Sequence, residues 1–150
     1  MNERRFIARV PLAALGAMFL LSAAVAGAAP CTKADLKGRY GFTLQGTVHP
    51  TPPSPSVLAY TATAGIIRFN GTGNLSVTGT ISTNGVVITD SVVTGTYTVN
   101  PDCTALVTLS NLTAVNAVAG KREGKKIQEL LFISTDNGTV VTGFAKKQKQ

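Results

Sequence analysis

VLAYTATAGIIRFNGTGNLSVTGTISTNGVVITDSVVTGTYTVNPD, residues 57–102, is the stretch that decides the fold. Short runs that alternate apolar residues with Thr, Ser or Gly are broken by turn residues at intervals of about ten, the pattern of an antiparallel meander. Residues 57–69 form one long run ending at Asn70-Gly71-Thr72-Gly73, where glycine supplies the positive φ of a tight turn. The chain returns over 74–83, turns again at Asn84-Gly85, and runs on through 86–90 and 92–99. Asn100-Pro101-Asp102 closes the next turn.

The same grammar extends in both directions. Upstream, residues 38–46 place Tyr40, Phe42 and Leu44 on one face by the period of two, and that face is expected to point inward. Downstream, runs over 103–109, 112–119, 127–134 and 139–146 follow, the last two joined by Asp136-Asn137-Gly138. The expected fold is all-β: a small antiparallel meander of eight or nine strands closed into a barrel, which removes exposed strand edges. A sandwich is the alternative. Lys33 to Leu36 is short enough for a single helical turn capped by Thr32. Residues 49–56, with four prolines, cannot be a central strand. They form a surface connection, either a stiff linker or a semi-rigid lid over a barrel mouth.

Residues 1–29 read as a secretory signal, with Arg4, Arg5 and Arg9 as the basic region, residues 12–25 as the apolar region, and Ala26-Gly27-Ala28 as the cleavage site. The apolar run is interrupted by Pro11 and stops short of the ~20 residues a spanning helix needs. Pro30 before Cys31 does not suit a lipidation junction. Residues 30–150 then make a single domain, with residues 146–150 as a basic tail. Thr, Val, Gly, Ala and Asn dominate it, which is β composition. Both cysteines lie in the exported part, so a Cys31–Cys103 disulfide is expected in a periplasmic or extracellular location.

Four segments carry a resemblance: Cys31 followed by Leu36-Lys37-Gly38-Arg39-Tyr40-Gly41-Phe42, Phe69-Asn70-Gly71-Thr72-Gly73-Asn74-Leu75, residues 95–103 and residues 132–143. Together they resemble a group of small exported bacterial proteins whose domain is similar to the allene oxide cyclase barrel. The resemblance implies eight antiparallel strands around a hydrophobic interior. Turn and strand residues carry it, so it speaks to fold, and no catalytic residue of the plant cyclase matches this chain position by position.

The residues that could do chemistry are few. His49 is the only histidine, and no Cys, His and carboxylate cluster has the spacing of a metal site. A lone His in a Pro-rich loop is a poor base for a Ser or Thr nucleophile. No catalytic residue, metal or cofactor is therefore expected, and the enzyme question leans towards no. Asp90, Asp102 and Asp136 fall in turns, where Asp hydrogen-bonds local amides. The four Asn-x-Ser/Thr triplets, at Asn70, Asn74, Asn111 and Asn137, are read as turn chemistry.

Strict alternation puts Glu129 with Ile127, Leu131 and Ile133. Either that face is inward and Glu129 needs a partner such as Arg68 or Arg39, or the face is outside and Glu129 is solvated. Tyr40, Phe42, Tyr60, Tyr97 and Phe132 are the wall candidates for a pocket, with Arg68 or Glu129 orienting a ligand. Lys121, Arg122, Lys125, Lys126, Lys146 and Lys147 form basic clusters able to meet an anionic envelope surface. They contain no interleaved aromatics, so nucleic acid is not expected. The resulting expectation is a noncatalytic binding module for a small apolar ligand. The alternative is a cell-envelope structural or interaction protein with a filled core, and a cyclase or isomerase rests on fold analogy alone.

Overall fold

The computed structural model describes residues 29–48, 59–110, 112–135 and 138–149. The signal segment up to residue 28 and the Pro-rich segment 49–56, with His49, lie outside the described residues. A 3₁₀ turn (Lys33–Leu36) precedes β1 (Gly38–Val48), β2 (Ala59–Phe69), β3 (Asn74–Thr83), β4 (Val86–Val99), β5 (Thr104–Leu109), β6 (Leu112–Glu123), β7 (Lys126–Ser134) and β8 (Thr139–Lys147). These eight strands form an antiparallel barrel in chain order, closed by β1 against β8 from Tyr40↔Lys147 to Val48↔Thr139. Closure satisfies the edge groups that an open meander would leave unpaired.

Turn chemistry sets the hairpins. Asn84 and Gly85 both have positive φ, 48° and 85°, and they form a two-residue connection between the paired Thr83 and Val86. The Asn70 side chain accepts from the N–H groups of Thr72, Gly73 and Asn74 at 2.8, 3.1 and 3.0 Å, so this residue organises the β2–β3 turn. Asp102 does the same for the β4–β5 turn by accepting from the Thr104 N–H and hydroxyl, which holds its carboxyl below the usual range.

The runs 86–90 and 92–99, separable in the sequence, are one strand of 14 residues. Its register against β3 shifts between Gly79 and Ile81, and Asp90 takes φ 51° there, so the interruption is a β-bulge rather than a turn. A second irregularity changes the reading of β7. Register shifts flank Lys121 on β6, and pairing passes from Leu130 to Glu129 to Ile127. Ile127, Leu130 and Phe132 are therefore buried together, while Leu131 and Ile133 stand outside, 57 % and 54 % exposed. Straight alternation over 127–133 fails because the bulge inserts a residue and reverses the phase.

Interior glycines let the strands approach. A methyl group on Gly65 would meet the Thr78 carbonyl oxygen, and one on Gly143 the Thr43 carbonyl oxygen. Gly65 pairs with Gly79 and Gly143 with Leu44. Bare Cα positions here allow tight coiling of the sheet and free interior volume for Phe42 and Phe132 beside them.

One end of the barrel is sealed. Cys31 and Cys103 are bonded, tying the segment before the 3₁₀ turn to the β4–β5 corner, and the Cys31 N–H donates to the Pro101 carbonyl at 3.1 Å. Thr32 caps that segment together with Asp35, whose carboxylate accepts from the Thr32 N–H and hydroxyl at 2.7 and 2.9 Å. Leu36, fully buried, is thereby driven into the barrel end. Above it Tyr40, Phe69 and Tyr97 make two edge-to-face contacts with centroids 5.4 and 4.9 Å apart.

Candidate functional site

The interior divides into two halves with different chemistry. In the sealed half the tyrosine hydroxyls are used structurally. Tyr40 donates to the Ile127 carbonyl at 2.7 Å, and Tyr97 donates to the Lys33 carbonyl at 3.2 Å while accepting from the Gly71 N–H at 2.9 Å. Burial pushes both hydroxyl pKa values up, for Tyr40 with a further contribution from Tyr97, so both stay protonated across the physiological range. Neither is a nucleophile or base in this setting.

The half towards the mouth, where β1, β3, β5 and β7 end, holds an apolar cavity of about 60 Å³. Phe42 and Leu44 on β1, Ile67 on β2, Leu75, Val77 and Ile81 on β3, and Val93 on β4 form one side. Val107, Leu109, Val115 and Phe132 close the other. Thr63 and Ser91 bring the only side-chain hydroxyls to a lining that is otherwise hydrocarbon and the bare Gly79. The period of two along Leu75, Val77, Gly79 and Ile81 puts all four on the lining, which is why β3 contributes most. An eight-stranded barrel is only just wide enough for its own side chains. The small-residue positions at Gly79 and Ser91 leave the remaining space.

Of the sequence-predicted wall residues, Phe42 and Phe132 line this cavity, and Tyr40 and Tyr97 lie in the sealed half below it. Tyr60, 66 % exposed, stands on the outer wall, where its N–H donates to the Asn84 side chain at 2.9 Å. Arg68 is exposed on the outer face and pairs in register with Arg39. Glu129 is outside as well, with Lys146 at 3.6 Å. Neither Arg68 nor Glu129 is placed to orient a ligand in the interior. The sequence reading weighted aromatics and charges, and missed the Val, Leu and Ile residues that make most of the wall. Their signal was the alternation itself.

A second concentration of chemistry lies on the outside of the sealed end. All eleven Lys and Arg residues after residue 29 fall on this half of the molecule, because the chain reaches it at the starts of β1 and β7 and the ends of β2, β6 and β8. Lys147 donates to the Lys37 carbonyl at 2.8 Å and lies 5.4 Å over the Tyr40 ring. Partial burial, then the nearby Lys126, push its pKa down. Arg122 reaches back to the Ala29 carbonyl at 3.1 Å and to the Cys103 sulfur at 3.4 Å, so it belongs to the disulfide corner.

Compared with protein-family models, curated proteins and solved structures, the chain matches none. Among the described residues, no three His, Cys, Asp or Glu side chains are grouped to hold a metal ion, and no helix is long and apolar enough to cross a membrane.

Proposed function

We propose that this protein is a noncatalytic binding module that takes a small, slender apolar molecule into the mouth half of its barrel, acting after export to the periplasm or medium. The observation that carries the reading is the cavity: a space lined mainly by aliphatic and aromatic side chains, in a barrel whose other half is occupied by the buried Leu36, Tyr40, Phe69 and Tyr97. Such a lining offers no charge and two hydroxyls, so it selects by shape and apolarity. The Cys31–Cys103 bridge suits an oxidising compartment, consistent with residues 1–29 acting as a secretory signal.

Size narrows the ligand. At about 60 Å³ the space is below the ~150 Å³ that accommodates benzene, so it admits only the end of a slender alkyl chain, roughly three carbons, and no ring. Each buried methylene contributes about 0.8 kcal/mol, so the roughly three carbons that enter gain about 2.5 kcal/mol before the costs of association, and the dissociation constant is weaker than about 10 mM. The test is a titration with 1-hexanol followed by the methyl resonances of Leu44, Val77 and Val107, in the wild type and in Ser91→Leu. Saturable shifts in the wild type that vanish when the leucine fills the space support the proposal. Equal shifts in both proteins, or none in either, refute it.

A further inference from the structure

At the sealed end, outside the barrel, a hollow of about 370 Å³ lies between the start of β1, the start of β7 and the end of β8. Lys37, Arg39, Lys126 and Lys147 line it, with Gln148 and the bare backbone of Gly38. Four cations, three from β1, β7 and β8 and Lys37 from just before β1, converge on one concavity and repel one another, and an arrangement of this kind is stable when an anion sits among them.

The nearby carboxylates are engaged elsewhere. Asp35 is held by Thr32, Asp102 by Thr104, Glu123 lies 3.9 Å from Lys121, and Glu129 lies 3.6 Å from Lys146. Among the described residues, none of the four cations around the hollow has a carboxylate within ion-pair distance. The Arg39 Nε is buried without a hydrogen-bond partner, and Arg39 also faces Arg68 directly across β1 and β2. Like charges placed opposite one another on a sheet are unfavourable unless something of opposite sign compensates them.

We infer that this hollow binds a phosphate group, held by Lys37, Arg39, Lys126 and Lys147. A phosphate monoester carries close to two negative charges and three acceptor oxygens, which suits donors arriving from several directions better than a planar, singly charged carboxylate does. The Arg39 guanidinium supplies a planar fork, the exposed Lys37 and Lys126 supply mobile point charges beside it, and Lys147 supplies one held in place at the Lys37 carbonyl. The site is independent of the apolar cavity, because Leu36, Tyr40, Phe69 and Tyr97 fill the barrel between them. It also regroups the basic residues: Lys37 and Arg39, far from the downstream clusters in sequence, join Lys126 and Lys147, while Lys121 and Lys146 are occupied by glutamates.

The phosphate can come from solution or from a lipid headgroup, and two probes separate these sources. Inorganic phosphate is titrated into the ¹⁵N-labelled protein, and vesicles of phosphatidylcholine with or without ~30 % phosphatidic acid, a monoester headgroup, are sedimented with it, all at low ionic strength. The double variant Arg39→Gln/Lys147→Gln is compared with Lys121→Gln/Lys125→Gln, which removes the same charge away from the hollow. Saturable amide shifts at Gly38, Arg39, Lys126 and Lys147, weakened roughly tenfold or more in the first variant and less than about twofold in the second, support a soluble phosphate. Sedimentation with the anionic vesicles alone, with the same dependence on the variants, supports a headgroup. Binding of neither probe, equal weakening by both variants, or equal binding of acetate overturns the inference. Lys37→Gln/Lys126→Gln, at two exposed positions, repeats the comparison should the first variant fail to fold.

Discussion

Replacing both Cys31 and Cys103 by alanine removes the single covalent tie in the barrel and leaves its non-covalent contacts nearly intact. The two residues are 72 positions apart with Cα atoms at 5.0 Å. For a loop of that length the chain-entropy relation gives about 4 kcal/mol of stabilisation, acting through the unfolded chain. In the folded state the Cys31 N–H still reaches the Pro101 carbonyl, and Leu36 still plugs the barrel end, so little native energy is lost beyond the buried sulfurs. With a urea m-value of ~1.5 kcal/mol/M, the midpoint is expected to fall by roughly 2.5 M. Far-UV circular dichroism in urea, on the wild type, the double variant and the reduced wild type, reads this directly. The latter two should coincide. A loss below about 1 kcal/mol with an unchanged m-value would refute the reasoning, since it would show that the bridged segment detaches before the barrel unfolds and does not restrain the unfolded chain.

Three further outcomes follow from the geometry. Gly143→Ala drives a methyl group into the Thr43 carbonyl and is expected to cost several kcal/mol or prevent folding, whereas Gly120→Ala, whose nearest neighbour is a Leu131 side-chain carbon at 3.7 Å, changes the thermal midpoint little. Tyr40 has its pKa raised by burial, so its contribution is complete below the ordinary tyrosine value near 10 and is lost as pH rises above it. Urea midpoints measured between pH 8 and 11 should therefore fall steeply in the wild type and less so in Tyr40→Phe, which starts about 1–3 kcal/mol less stable because the Ile127 carbonyl loses its donor. Glu129→Gln should alter stability by less than about 1 kcal/mol, as for an exposed pair with Lys146. A cost of several kcal/mol would instead place that carboxylate inside.

The legibility of the chain differed from element to element. Asn84-Gly85 and Asn70-Gly71-Thr72-Gly73 identify their hairpins because the required positive φ values restrict which residues can stand there. Thr32 signals the 3₁₀ turn by a different local property, its capacity to cap the first turn. Tyr60 follows the plain alternation of β2, which puts it outside with Ala62, Ala64 and Arg68, whereas the face of Glu129 was illegible. A bulge shifts the phase of β7, and one-residue shifts of that kind leave no mark in a pattern of two. Phe144, an apparent core aromatic, is 52 % exposed on the outer wall beside Leu131, with which it is in register.

That the chain is all-β, where most strands begin and end, and that Cys31 and Cys103 are the only available pair follow from period, turn residues and cysteine count, which are local or compositional properties. Closure of the strands on themselves, the position of the cavity in one half of the interior, and the placing of Lys37 and Arg39 beside Lys126 and Lys147 emerge with the three-dimensional fold. Those outcomes depend on register and bulges summed around the whole barrel. Residues more than a hundred positions apart become neighbours only once the first strand pairs with the last.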